Sequence, residues 1–501
     1  MQSLSENRFS LHQAIFILTL TCVGIGVSAA AWYIWGLPRE WAVFGFLALL
    51  MPFVLFTVKD MRRFVMWWMI FLIPLGADYK FFYQRSISGH DGVALGTTEI
   101  FLMILVLQWL IRAVRDRHQT RIKAFPAIAL PTLALAAMCV LSMVNAKNVA
   151  LSLFDTIVYI KMLIFFLFLA NNIRNQEDLT IVLNALFLGL FIESLIMMLQ
   201  FYRGSSLGLI GTEEMSSFVQ YKSEARIFLR PGGTVGNVNG FARYLGFILP
   251  IASVMMLTTR NRRVLLLGFL ASLAGLVALI LTQSRSVWGA YGIGMVLALA
   301  FVVTRQLVTM RTLKRISIAA LMVAALAVIY GDFIYSRLTS DDHGSAKARL
   351  TTAEVALRII EDHPIIGVGA NNYDSYLRSY WLVEDPFTRI AVVHNNYLLI
   401  MAEIGIVGFA AFAWLLIALW VRTQRAMTCR VKYFREVAVG IFASLVCFLL
   451  ASLADGYKSS LTLMYLFWTL AAIIEALIHM DETYREQAFG MLLDTGKNYD
   501  V

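Results

Sequence analysis

Charge is what this chain has least of. Only 15% of its 501 residues are charged and 59% are apolar, with a mean hydropathy of +0.71. That excludes an ordinary soluble globular domain, where about a quarter of residues are charged. Cysteine is also sparse: Cys22, Cys139, Cys429 and Cys447 form no CxxC pair, which argues against a disulfide framework or a thiolate metal site. The start of the chain lacks the short apolar stretch and small-residue cleavage site of a signal peptide, so its first apolar run is expected to stay as an anchor. No repeat, low-complexity tract or separate soluble domain is visible, and no acidic cluster has metal-ligand spacing. Asp341-Asp342-His343 comes nearest and reads better as a solvated loop.

What is present is a succession of apolar runs long enough to cross a hydrocarbon core of roughly 30 Å as helices. Fourteen can be drawn: Leu11–Trp35, Trp41–Val58, Phe64–Ala77, Gly92–Leu110, Ala124–Val144, Leu151–Ala170, Leu179–Tyr202, Phe241–Leu257, Val264–Leu281, Val287–Val303, Ile316–Tyr330, Tyr397–Val421, Val437–Leu453 and Leu461–Ile478. The third is short and contains Pro74. The net charge of +10 would suggest nucleic acid in a soluble protein. Here the basic residues fall in five clusters, Lys59–Arg63, Arg112–Lys123, Arg260–Arg263, Arg305–Arg315 and Arg422–Arg435, each after an even-numbered span. That is the positive-inside pattern, and it places both termini in the cytoplasm. Dropping the third span would put the first two clusters on opposite faces. The expected fold is an all-α integral membrane protein of about fourteen transmembrane helices, with no nucleic-acid partner. Its parts are an N-terminal bundle (1–202), a motif-bearing core (203–421) and a C-terminal pair with a tail (422–501). One large outer loop (331–396) is expected to contain short helices, because a connection of that length is unusual without a job.

Polar groups gather on the outer face. Arg230-Pro231-Gly232-Gly233-Thr234-Val235-Gly236-Asn237-Val238-Asn239 approaches the eighth span. It reads either as a flexible re-entry loop or as a place where backbone N–H groups and a guanidinium meet phosphate oxygens. Arg285, in the tight turn Thr282–Ser286, runs against the charge bias of the short loops; it is either an interfacial snorkelling residue or an anion ligand. In the large loop, Ala353, Ala356, Leu357 and Ile360 recur at helical spacing beside Arg349 and Arg358, which suggests an amphipathic helix lying on the membrane surface. A turn-rich strip from Gly367 to Tyr373 follows. His394-Asn395-Asn396 then opens the twelfth span, where an imidazole could act as base toward an incoming hydroxyl. Arginines without a carboxylate cage suit a phosphate ester or diphosphate handled without metal.

His394-Asn395-Asn396 followed by Glu403-Ile404-Gly405 resembles the His-Asn/Ser…Glu-x-Gly signature of the O-antigen ligase and polymerase superfamily. Arg349…Ile359-Ile360-Glu361-Asp362-His363-Pro364-Ile365-Ile366-Gly367-Val368-Gly369, Thr282–Ser286 and Arg230…Asn239 fit the same family, so the resemblance covers roughly Arg230 to Gly408. It implies a metal-independent, GT-C-type membrane glycosyltransferase without a cofactor. Such an enzyme moves glycan from an undecaprenyl-diphosphate donor to a glycan, lipid or protein hydroxyl, among inner-membrane lipids at the periplasmic face. His394 would be the base or acceptor-orienting group, and Arg230, Arg285 and Arg349 would hold the diphosphate. Asn237, Asn239, Arg243, Asn395 and Tyr373 would line the substrate. Fourteen spans exceed the roughly twelve expected of a lipopolysaccharide ligase, which tilts the reading toward an exopolysaccharide or O-antigen polymerase. The alternatives are a ligase acting on lipid A-core or protein and, from another class, a transporter of an anion or lipid-linked sugar, which should show internal repeats and broken helices.

Charges inside spans need partners. Lys161 is expected to pair with Glu193 or Asp155, and Arg243 to extend the outer site. Glu403, roughly 13 Å below His394 at 1.5 Å rise per residue, reads as a packing or hydrogen-bonding group. Gly289, Gly292 and Gly294 are expected to permit close helix contact.

Overall fold

The computed structural model describes residues 58–75, 78–115, 122–208, 221–223, 226–228, 230–304, 308–339, 345–381 and 391–496. The chain forms two compact units, 1–64 and 65–501. The first two expected spans lie outside the described residues.

Helix α1 (Met61–Phe71) ends in a turn that carries Pro74, and an antiparallel hairpin follows, β1 (Asp78–Phe81) with β2 (Val93–Gly96). Then come α2 (Thr97–Arg115), α3 (Pro126–Ser142), α4 (Val149–Asn172) and α5 (Gln176–Arg203). A second small hairpin, β3 (Tyr221–Ser223) with β4 (Arg226–Phe228), precedes α6 (Val238–Thr258), α7 (Arg262–Thr282), α8 (Arg285–Thr304) and α9 (Met310–Ile329). The large loop holds α10 (Gly331–Thr339), α11 (Ser345–Asp362) and α12 (Tyr373–Tyr380). Helices α13 (Asn396–Ala426), α14 (Lys432–Ala451) and α15 (Leu461–Gly496) complete the chain.

Eleven of these helices are long and apolar enough to cross a membrane, and they coincide with the fourth to fourteenth expected spans. The third differs. Its helix has 11 residues, about 16 Å at the standard rise, too short to cross alone. Asparagine starts many of the long helices. Asn148, Asn175, Asn237, Asn261 and Asn395 each accept a backbone N–H of the first turn, which satisfies donors that lipid cannot.

Helix α6 is buried along nearly its whole length, with α7, α8 and α14 packed around it. Close approach depends on small residues: a Cβ on Gly246 would lie 2.8 Å from Cys447 Sγ, and one on Gly294 would lie 2.7 Å from the Ala443 carbonyl. Gly289 and Gly292, expected to serve likewise, face open space. Contacts α3–α13 and α4–α15 bind the first helices to the last. The three stretches drawn from the sequence therefore interleave.

The basic clusters lie at shared helix ends. Arg315 donates to the Thr259 carbonyl at 2.7 Å, while Lys123 and Arg422 both reach α15, at His479 and Glu475. Four of the five clusters thus mark one basic end of the bundle. Because α6, α13 and α14 each have one terminus there, Arg243, His394 and the 452–460 turn lie at the other.

Two expectations are corrected. Lys161 pairs with Glu99 Oε1 at 2.5 Å rather than with Glu193 or Asp155. Glu193 instead accepts the backbone N–H of Thr234 at 2.9 Å and its hydroxyl at 2.5 Å, and so holds the glycine-rich approach to α6. The apolar stripe of α11 does not simply lie on the membrane. Of its four residues, Ala356 is buried with Val355 and Ile359 against Tyr373, Leu377, Leu399 and Ala402, and Ala353 and Ile360 pack beside them, so protein covers that side while Leu357 stays exposed.

Candidate active site

Helix α13 is broken where the Glu-Ile-Gly triplet lies. Gly405 has φ +69° and ψ −175°, and a Cβ there would sit 2.1 Å from the Ile365 carbonyl oxygen. The strip 364–369 laces into the break. Val368 and Gly369 donate to the carbonyls of Ala402 and Glu403, while Pro364 and Ile365 accept from Ile406 and Val407. Gly367, at φ +70°, passes so close that a Cβ would be 2.4 Å from the Glu403 carbonyl. Two distant motifs are therefore one backbone structure, which the sequence could not reveal because the pairing is made by main-chain atoms. Lys458 seals it below, ion-paired to Glu403 and to Asp155 Oδ2 (2.5 Å), and Asp155 in turn meets His90 Nδ1 at 2.9 Å. Burial disfavours a charged Lys458, but the two carboxylates outweigh it and push its pKa well above the usual lysine value. Glu403 is thus a structural ion-pair member, in keeping with its expected packing role.

At the top of α13, Asn395 caps the helix through its side chain (3.0 Å to Tyr397 N, 3.1 Å to Leu398 N), which fixes the residue before it. That residue, His394, is 45% exposed, with Nδ1 3.5 Å from Asp455 Oδ1. The other oxygen of Asp455 faces Arg243 Nη2, also at 3.5 Å. Arg243 in turn donates from Nε to the Asn239 carbonyl at 3.1 Å, and its Nη1 is buried without a hydrogen-bond partner. Burial alone would raise the pKa of Asp455; the Arg243 guanidinium, then the nearby His394 imidazole, hold it below the usual carboxylate range. The carboxylate can orient the imidazole and steady it when it takes up a proton, leaving Nε2 as the working nitrogen.

A second group of cations surrounds the α7–α8 turn. Arg230 is buried and donates from Nε and Nη2 to the Thr282 carbonyl at 2.9 and 2.6 Å. Arg337 of α10 reaches the Gln283 carbonyl at 3.1 Å. Arg285 is exposed at the first residue of α8. Gly246 of α6 lies against Val287, so Arg243 and Arg285 sit one short helical step above the same contact, at similar depth. Helices α6, α8 and α13 all start at this end, and their N-terminal dipoles add to the positive field.

The other expected residues fall in different places. Asn237 is exposed and caps α6 through Gly240 N (2.6 Å), and Asn239 is exposed beside it. Arg349 is exposed on α11, where no observed contact brings it to His394. Tyr373 is a correction: it is fully buried in the cluster beneath α11, so it packs the loop rather than lining substrate. Sequence reasoning missed Asp455, Lys458 and Arg337. The short outer turn Asp455-Gly456-Tyr457-Lys458 carries two opposite charges between long spans, and that anomaly was the available signal. Among the described residues, no three His, Cys, Asp or Glu side chains gather as a metal cluster.

Residues 270–413, which contain Arg285, Arg349 and His394, match the family described as O-Antigen ligase. The matched stretch is similar to that family, which supports an O-antigen ligase/polymerase reading of the chain. A curated relative, the teichuronic acid biosynthesis protein TuaE of Bacillus subtilis (strain 168), is 24% identical over 357 residues, 68% of this chain and 69% of the relative. Arg230, Arg243 and Asp455 lie outside the family match, so their place in the site rests on geometry.

Proposed function

We propose that this protein is a glycosyltransferase of the O-antigen ligase/polymerase type that moves a glycan from a polyprenyl diphosphate to a hydroxyl acceptor, at the end of the bundle opposite the basic loops. By the positive-inside rule that end faces the periplasm, with both termini cytoplasmic. The observation that carries the reading is the His394–Asp455–Arg243 constellation, at the same end of the bundle as Arg285. His394, oriented by Asp455, takes the proton from the acceptor hydroxyl as its oxygen attacks C1 of the donor sugar. The C1–O bond to the diphosphate breaks on the far side, so one displacement inverts C1. Charge then builds on the diphosphate, and Arg285 with Arg243 is positioned to meet it, each such contact contributing about 1.5–3 kcal/mol. Arg230 acts by tying the glycine-rich approach to the α7–α8 turn. Guanidinium groups supply this charge stabilisation, so the proposed chemistry is metal-independent.

The preference for a polymerase over a ligase rested on fourteen spans. With α1 only 11 residues long, helix count no longer separates them, and the acceptor becomes the distinguishing quantity. A transporter reading would draw on the broken helix α13. Against it, the strip 364–369 occupies the backbone groups at that break, which in a transporter would face the cargo. The test is transfer from an undecaprenyl-diphosphate oligosaccharide in proteoliposomes, by wild type and by Asp455→Asn and Arg285→Gln. Lengthened lipid-linked chains support a polymerase, and product on a separate lipid or protein supports a ligase. Wild-type rates in both variants would remove the constellation from the chemistry.

A further inference from the structure

The basic end of the bundle holds a polar cavity, unconnected with the chemistry above. Its volume is about 410 Å³, and it lies between α2, the residues leading into α3, the end of α4 and the later turns of α15. Leu105, Gln108, Trp109 and Arg112 line it from one face of α2 at helical spacing, while Met103, Leu107 and Ile111 point away and are exposed. Trp109 stands edge-on to Phe168, which gives the cavity an aromatic wall. Its charged lining is cationic, Arg112, Lys123 and Arg174, with His479 beside them.

The cavity is built rather than merely fringed by mobile lysines. Lys123 and Asn171 exchange hydrogen bonds, backbone N–H to Oδ1 at 2.8 Å and Nδ2 to carbonyl at 3.0 Å, which fixes Lys123 to the end of α4. The Lys123 ammonium lies 2.6 Å from Nε2 and 3.1 Å from Nδ1 of His479, so it donates to an imidazole rather than to a carboxylate. Glu482, one turn beyond His479, is paired with Arg425 at 2.5 Å. Among the described residues, no acidic side chain lines the cavity. Positive-inside charge alone explains basic residues at this end, but not a cavity that sets three cations and three side-chain amides around an aromatic wall.

We infer that this cavity binds a phosphate ester group, with Arg112, Lys123 and Arg174 around the phosphate and Trp109 and Phe168 against the apolar part of the ligand. An anionic phospholipid headgroup has that combination, and basic pockets between membrane helices recognise such headgroups. A soluble phosphate compound could supply the same group, so the experiment separates the two sources. Purified full-length protein would be placed in nanodiscs of phosphatidylcholine alone or with diphosphatidylglycerol, and separately titrated with inorganic phosphate and glycerol 3-phosphate. Thermal unfolding and lipid retained in native mass spectra are the readouts. Wild type should gain stability and retain diphosphatidylglycerol. Arg112→Gln/Lys123→Gln should bind it about tenfold more weakly, while Lys123→Arg keeps most of the effect. A soluble phosphate compound giving the larger, variant-sensitive shift would keep the site and change the source. Full retention and full stabilisation in Arg112→Gln/Lys123→Gln would overturn the proposal. Should that double variant not fold, Arg174→Gln, at the rim, provides the same comparison.

Discussion

At the residue scale, the site turns on one imidazole and the carboxylate that aims it. His394 is nearly half exposed and makes one polar side-chain contact, so His394→Ala should leave the unfolding temperature almost unchanged while cutting transfer by about 10²–10⁴. Rates and unfolding of the same preparation check this together. Asp455 gives a pH signature. Its pKa in the folded protein is depressed, so the stability it contributes is fully present above the ordinary carboxylate value and is lost as pH falls through the folded one. The stability gap between wild type and Asp455→Asn should be constant from neutral pH to about pH 5 and narrow only in strong acid. A gap that narrows already between pH 7 and 5 would mean the carboxylate is not held by Arg243. His394 and Arg243 stood out in the sequence because a charge at the mouth of an apolar run is anomalous wherever it occurs. Asp455 did not, because an acid in an outer turn is ordinary until its partners, far away in sequence, are seen. Tyr373 misled for the opposite reason: a tyrosine in a polar strip looks exposed, and only tertiary packing buries it.

At the scale of elements, the long helices were legible because lipid demands about twenty apolar residues and polar caps, and both are local properties. The break in α13 was not. A lone glycine in an apolar run looks like a packing device, and its left-handed backbone appears only with the strip 364–369 in place. Gly405→Ala should cost at least 1–3 kcal/mol from backbone conformation alone, before its Cβ meets the Ile365 carbonyl. Lower expression and unfolding temperature, with transfer lost in proportion, would show it. Lys458 ties α13, α4 and the turn carrying Asp455 together. Removing it leaves two buried carboxylates without their cation, so Lys458→Met should destabilise by about 3–5 kcal/mol. Glu403→Gln/Lys458→Met should recover part of that loss, and a double-mutant cycle on unfolding measures the recovery.

At the scale of the whole molecule, basic clusters and outer polar loops were separable by counting spans, and the structure sets the clusters of residues 65–501 at one end through the helix ends they contact. How the ends of that bundle meet was not legible, since His394, Arg243 and Asp455 come from three different helix ends. Orientation has its own check. In a cysteine-free background, Thr428→Cys, at the basic end, should react with an impermeant maleimide only after the cytoplasmic side is opened, and Glu361→Cys should react in intact cells. Reversed labelling would invert the topology and move the site to the cytoplasm.

The most direct measurement of the central claim is glycan transfer from an undecaprenyl-diphosphate oligosaccharide in proteoliposomes by wild type and His394→Ala, with donor binding measured on the same samples. The expected result is transfer by wild type, and donor binding without transfer by the variant. Undiminished transfer by a well-folded His394→Ala protein would contradict the assignment of His394 as the base.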